Sequence, residues 1–205
     1  MVLVTGFEPF AGDTVNPSQL VAERLGGREL GRARVAAVVL PVSSGAVPAA
    51  LAAAIKRYRP DLVISFGLAG GRTAISLERV GINVVDARIA DNDGVQAIDL
   101  PILADGPAAH FATLPLRSIL ARWLEEGIPG ELSNSAGTFI CNQVLYLSLQ
   151  LALTGAGHRA GFIHLPYLPE QAARQPEGVA SLPLELMVRA AEVAVEVALS
   201  ERVPA

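Results

Sequence analysis

The chain reads as an α/β protein, a three-layer α/β/α sandwich in which helices cover both faces of a mainly parallel or mixed sheet. Three observations predict this. Strand-like and helix-like segments alternate throughout, the pattern of a sheet wrapped by helices. Asp61 to Phe66 carries a continuous apolar run, as strands covered on both faces do, instead of the alternation of a half-exposed sheet. With 205 residues, 51% hydrophobic and 18% charged, the chain can bury a sizeable core and is too apolar to be disordered. It is expected to be a single domain over 1–205, since no repeat, low-complexity tract or linker interrupts it.

In chain order, Val2 to Gly6 is a buried strand and Phe7 to Asp13 the loop at its carboxyl end. Pro17 opens a helix reaching about Leu25, because proline is tolerated at the first helical position. Arg34 to Leu40 is a second strand. Ser43 caps a helix from about Gly45 to Tyr58 that Pro60 ends. The strand ending at Phe66 gives way to the turn Gly67-Leu68-Ala69-Gly70-Gly71-Arg72. Its spacing fits neither the dinucleotide pattern nor the P-loop, so it is expected to be a sharp turn where backbone passes close to something.

Val80 to Ala87 reads as a further strand, and Ile89 to about His110 as an irregular segment. A loop this long inside a compact domain is functional or mobile, and it is expected to be a lid or an interface arm. Its acids Asp91, Asp93, Asp99 and Asp105 have no His or Cys beside them and match no EF-hand spacing, which argues against a metal. Leu116, Leu120, Trp123 and Leu124 form a helix stripe ending at Gly127, and Gly130 to Asn134 is a short connection. A wholly apolar helix follows Cys141, Gly161 to Pro166 makes the last strand, and an amphipathic helix closes the chain. That helix sets Leu184, Val188, Ala191, Val195 and Ala198 against Glu185, Arg189, Glu192 and Glu196.

A net charge of −4 without a basic run argues against nucleic acid. A single cysteine cannot close an intramolecular disulfide, the first residues already read as a strand and not as a leader, and no apolar run approaches a membrane span. A cytoplasmic protein without membrane partners is expected.

Three residues stand out chemically. Cys141 falls near the first turn of its helix, where free N–H groups and the dipole favour an anion, so its thiol is expected to ionise more easily. His164 sits at a strand end between apolar neighbours, whereas His110 and His158 look like solvated surface positions. Cys and His together are the minimum for thiol nucleophile chemistry. Glu78, placed between apolar residues, is the candidate to orient the imidazole, against a plainer reading as a surface carboxylate paired with Arg79.

The motifs Thr5-Gly6-Phe7-Glu8-Pro9-Phe10, Gly67 to Arg72 with Glu78-Arg79, Asp86-Ala87-Arg88-Ile89, Ser135 to Asn142, and Gly161 to Gln171 closely resemble pyroglutamyl peptidase I, the pyrrolidone-carboxylate peptidases. The resemblance runs from residue 2 to about residue 199. It implies a cysteine peptidase that removes an N-terminal pyroglutamyl residue from peptides through a thioester acyl-enzyme. Cys141 would be the nucleophile, His164 the general base and then acid, and Glu78 the orienting group. It further implies a homotetramer without metal or organic cofactor. Phe10 and Phe139 match positions lining the ring's pocket, Phe7 and Ile89 are further candidates, Arg88 lies close to the site, and Asn16 is a candidate polar contact.

Ala11 stands where the family commonly has Gly, Gly81 where Ala is usual, and Ala90 where a proline is common. Two other function classes fit the sequence less well. A non-catalytic binding relative of the same fold would have no need of Cys141, His164 and Glu78 together. A nucleoside phosphorylase would need a basic phosphate site, for which only Arg72 and Arg88 are available.

Overall fold

A computed structural model describes residues 1–175 and 178–201. Its main sheet comprises β1 (Val2–Phe7), β2 (Glu29–Leu30), β3 (Ala33–Leu40), β4 (Leu62–Leu68), β5 (Ile75–Glu78), β8 (Gly130–Ser133) and β9 (Arg159–Leu165). The strand order is β2-β3-β1-β4-β9-β5-β8. The central strands β3, β1, β4 and β9 run parallel, so the carboxyl ends of β1, β4 and β9 share one rim. β5 and β8 are parallel to each other but antiparallel to β9, which makes the sheet mixed.

Helices α1 (Pro17–Leu25), α3 (Leu116–Glu125) and α6 (Leu184–Ser200) cover one face, while α2 (Val47–Tyr58) and α4 (Ile140–Leu151) cover the other, and the single turn α5 (Pro169–Ala172) follows β9. The three-layer sandwich expected from the alternation of segments is therefore present. Alternate residues of a strand feed opposite cores: Ile163 and Leu165 join the core under α1, α3 and α6, and Phe162 joins the core under α2 and α4. Trp123 is fully buried and its indole N–H donates to Ala190 O at 2.8 Å, pinning α3 to α6. In α1, Asn16 caps the helix by accepting from Ser18 N at 3.1 Å, with Pro17 at the first helical position. From Asn142 to Leu149, α4 is buried without interruption, as its apolar composition predicts.

Several expectations are corrected. Gly130 to Asn134 is mostly edge strand β8, since pairing with β5 outweighs its weak pattern. Ser43 does not cap α2; its hydroxyl accepts from Ala46 N and braces the turn before the helix. Leu124 lies off the buried face of α3 and is 58% exposed, while Ile119 fills that place. The strand from Val80 lasts only to Ile82 as β6 (Val80–Ile82), which leaves the main sheet to form a ribbon with β7 (Ala109–Phe111). This ribbon packs on α4, close enough that a Cβ at Gly81 would lie 2.8 Å from Tyr146 N. Neither His110 nor His158 is solvated: they are 8% and 5% exposed. His110 pairs with Gln150 Oε1 at 2.6 Å and stacks on Tyr146, while His158 meets Ser148 O at 3.0 Å. Their small neighbours read as loop, but packing against α4 hides both rings.

The irregular segment after β6 is stitched down. Asn83 bonds Leu103 and Gly106, and Asn92 bonds Glu8 Oε1 and Pro9 O. Asp91 accepts from Ser44 N, Ser44 Oγ, Asp93 N and Val95 N. Burial pushes the Asp91 carboxyl up, but the bonds from Ser44, Val95 and Asp93 outweigh it and hold the group below the usual carboxylate range. A lowered folded pKa means that the contribution is complete above the ordinary value near 3.8 and is lost as pH falls through the lowered one. Asp91→Asn is expected to cost about 1–2 kcal/mol at pH 7, because both carboxylate oxygens accept here and the NH2 that replaces one of them cannot. Urea midpoints of the two proteins should converge as pH drops below about 4.

Candidate active site

His164 is the penultimate residue of β9, and its side chain emerges on the α4 face of the sheet beside Phe162, 4.8 Å away between ring centroids. On the neighbouring antiparallel strand, Ser76 lies opposite His164 and Glu78 opposite Phe162. Glu78 shares that face and reaches His164 along the diagonal. Its Oε1 accepts from His164 Nδ1 at 2.7 Å, and because an ionised carboxylate can only accept, Nδ1 carries the proton and Nε2 keeps its lone pair. Glu78 is fully buried, so it is no surface carboxylate, and its cation is Arg72, whose Nη1 donates to the same Oε1 at 2.8 Å. Arg79 instead reaches Asn134 at 3.4 Å.

Glu78 comes to the site from the opposite direction to the parallel strands. Because β5 runs against β9, its carboxyl end points away from the rim shared by β1, β4 and β9, and Glu78 reaches the site from below. Arg72 is the residue that sequence reading missed. The available signal was the short link: only Ala69 to Ala74 separate β4 from β5, whereas a parallel connection needs about a dozen residues. That link must cross the end of β9, and Arg72 rides on it.

Cys141 is the second residue of α4, after Phe139 at the cap position, as its place after a small and polar turn predicts. The first glycine of the stretch read as a turn belongs to β4 and explains how the sulfur is accommodated. Gly67 lies directly beside His164 in the β4–β9 register, and a Cβ there would sit 2.7 Å from Cys141 Sγ and from Phe162 Cζ. Gly70 similarly makes room for the ring of Tyr167. Asn142, next to the cysteine and fully buried, bonds Ile82 N, Ile82 O and Val84 O, all at 2.9 Å. It thereby fixes the start of α4 to the strand leading to Asp86 and Arg88.

The electrostatics reverse one expectation. Burial, followed by the charge of Glu78, pushes the Cys141 thiol up to about 12, against smaller opposing effects of Arg72 and the residue's own backbone. The helix terminus does not make it an ionised thiol at rest. Burial also holds His164 below its ordinary 6.5; Glu78 opposes this and Arg72 reinforces it. The resting pair is thus a neutral thiol and a neutral imidazole.

Cys141 and His164 line one cavity of about 710 Å³, within the range of small-molecule sites. Phe10 and Phe139 line it with ring centroids 6.4 Å apart, and Phe7, Arg88, Ile89 and Asn16 also contribute. Phe7 is buried and packs on Phe162, whereas Ile89 is 45% exposed at the rim. The Asn16 side chain is already engaged: its amide donates to Glu8 O while its oxygen accepts from Ser18. Ala11, on the same wall, has a left-handed backbone with φ of 54°, a conformation that favours the glycine common in the resembled family.

The pyroglutamyl peptidase family model matches residues 1–201. The chain belongs to the pyroglutamyl peptidase family. It is 50% identical over 201 residues to the pyrrolidone-carboxylate peptidase of Gloeobacter violaceus, covering 98% of both chains. With that of Chromobacterium violaceum it shares 52% over 199 residues, 97% of this chain and 92% of the relative. Among solved structures, a mutant pyrrolidone carboxyl peptidase from P. furiosus superposes with a TM-score of 0.95 at 43% identity, covering 98% of each chain. The pyrrolidone carboxyl peptidase from Thermococcus litoralis gives 0.95 at 39% identity, covering 100% of this chain and 99% of that one. The family resemblance read from the motifs is therefore borne out, and the chain is a hydrolase of the peptidase class.

Gly67 offers a direct test of the sulfur's seat. Gly67→Ala should leave a folded protein weakened by about 1–3 kcal/mol, since the added methyl forces Phe162 and Cys141 aside. Alkylation of Cys141 by iodoacetamide, followed by mass, should change rate at least several-fold. An unchanged rate in a folded variant would show that the sulfur does not rest on this glycine.

Proposed function

We propose that the chain hydrolyses the N-terminal pyroglutamyl residue from peptides, with Cys141 as nucleophile, His164 as general base and then acid, and Glu78 as the group that orients the imidazole. The observation that carries this reading is the 2.7 Å bond from His164 Nδ1 to a fully buried carboxylate. It leaves Nε2 unprotonated on a residue that lines the same cavity as Cys141.

With thiol and imidazole both neutral at rest, the proton moves as the bond forms. His164 Nε2 takes the Cys141 proton while Sγ adds to the scissile carbonyl, and the carbonyl electron pair becomes the oxyanion. First-turn N–H groups of α4, which have no intrahelical acceptors, are suited to hold that oxygen. The C–N bond then breaks, His164 returns the proton to the departing amine, and a thioester remains. Water, deprotonated by the same imidazole, releases pyroglutamate and restores the thiol. Throughout, Glu78 stabilises the transient imidazolium.

Pyroglutamate is small, uncharged and cyclic, so its pocket calls for apolar walls and a few polar groups, not a carboxylate for an amino terminus. Phe10 and Phe139, with Phe7 and Ile89, are the walls in this reading. Asn16 serves by holding the first loop and Arg88 by its charge at the rim. No metal or cofactor takes part. The protein acts as a single-domain subunit of a cytoplasmic homotetramer. Among the described residues, no helix is long and apolar enough to cross a membrane.

Release of a fluorescent amine from a pyroglutamyl amide under reducing conditions, beside the prolyl amide, tests the reading. Turnover should be confined to the pyroglutamyl amide and vanish in Cys141→Ala. Glu78→Gln should lower kcat more than it raises KM, because the orienting charge matters most in the transition state. The acidic limb of kcat/KM should lie below pH 6.5, since burial of His164 favours its neutral form. Silence from folded, reduced wild type would replace the peptidase with a binding protein of the same fold.

A further inference from the structure

We propose that Arg72 is a positioning residue of this site: its guanidinium clamps the orienting carboxylate of Glu78 to the turn that leads into the helix of Cys141. The inference rests on the peptidase reading above. Nη1 of Arg72 donates to Glu78 Oε1 at 2.8 Å and Nη2 to Ser135 O at 3.3 Å. One planar group thus joins three segments: the link after β4, the end of β5, and the turn that leads into α4. Ser135 O also accepts from Ser133 Oγ, so the clamp seats on a carbonyl already held in place.

The clamp matters because Glu78 is otherwise poorly satisfied. Its Oε1 serves both His164 and Arg72, while Oε2 has no hydrogen-bond partner among the described residues. A fully buried carboxylate with only an imidazole for company would draw a proton onto that imidazole and swing between its two oxygens. Arg72 counters both tendencies. Its positive charge offsets part of the carboxylate's pull on a proton, and its planar fork fixes which oxygen faces Nδ1.

The charged groups facing the thiol and the imidazole are Glu78 from β5 and Arg72 from the link. Asp13, Asp86 and Arg88 lie on the same cavity wall from the first loop and the segment after β6. Of these, Glu78 and Arg72 act on Cys141 and His164 in opposite directions, Glu78 favouring the protonated forms and Arg72 the deprotonated ones. Loss of Arg72 therefore shifts both groups toward protonation.

The test compares Arg72→Gln and Arg72→Lys with wild type by two readouts, pyroglutamyl amide turnover and the pH dependence of Cys141 alkylation by iodoacetamide. Arg72→Gln should lower kcat about tenfold or more with little change in KM. Its acidic limb and its alkylation profile should both move upward by about one pH unit. Arg72→Lys keeps the charge but cannot span Glu78 and Ser135 together, so both profiles should stay near wild type while kcat remains depressed. If Arg72→Gln fails to fold, Arg72→Met, which keeps the stem and removes the charge, is held to the same expectation. Folded charge-free variants with wild-type kcat and unshifted profiles would overturn the proposal. The alkylation profile needs no substrate, so an inactive wild type would count against the peptidase reading and leave the role of Arg72 decidable.

Discussion

A carboxylate with no exposure to solvent is the constraint around which the site is built. Removing an ionised group from water costs several kcal/mol even after relaxation, and the cost is offset only by well-placed partners. Glu78 has two, His164 and Arg72, both on one oxygen. Such an arrangement is poor value for stability alone, since apolar residues of similar volume often do as well or better. Its presence in a sheet whose buried positions are mostly Val, Ile, Leu and Phe makes sense when the carboxylate holds an imidazole in one tautomer and one orientation.

The sheet's reversal follows from that need. β4 and β5 flank β9 on either side, and the chain crosses from one to the other over the end of β9 in the short link Ala69 to Ala74. A link so short returns the chain antiparallel. The return lowers Glu78 to the level of Phe162, one diagonal from His164, and leaves Arg72 above both. The glycines serve the same geometry. Gly67 leaves space for Cys141 Sγ, Gly70 leaves space for Tyr167, and Gly71, with φ of 86°, turns the chain. A feature that matches no phosphate-binding spacing is thus accounted for as the packing seat of Cys141.

What was legible in the sequence and what was not divide along a physical line. The layers, the wholly buried α4, the place of Cys141 at its start and that of His164 near a strand end follow from local apolar patterning, which near neighbours record. The partners of polar groups do not. Glu78 could not be told from a surface carboxylate beside Arg79, because its burial and its bond to Arg72 depend on the direction of β5. His110 and His158 looked solvated because their neighbours are small, yet α4 packs over both. The ribbon of β6 and β7 was hidden for a similar reason: its short strands pair across a long irregular segment.

The state of the thiol shows how such distant partners set chemistry. Position at a helix start favours a thiolate, but burial and the nearby Glu78 weigh more, and the thiol is pushed up to about 12. Burial keeps the imidazole neutral despite the same carboxylate. A site with both groups uncharged holds no preformed ion pair to be quenched when water leaves the cavity. In the proposed reaction, charge separates only when the sulfur bonds carbon, and at that moment Glu78 faces a new imidazolium. The strongest electrostatic interaction is thereby reserved for the transition state, the condition under which binding energy accelerates a reaction instead of only tightening the ground state. Arg72 completes the logic. Under the role proposed for Arg72, losing its charge would let the carboxylate favour the imidazolium before attack, and part of that reserve would be used up in the resting state.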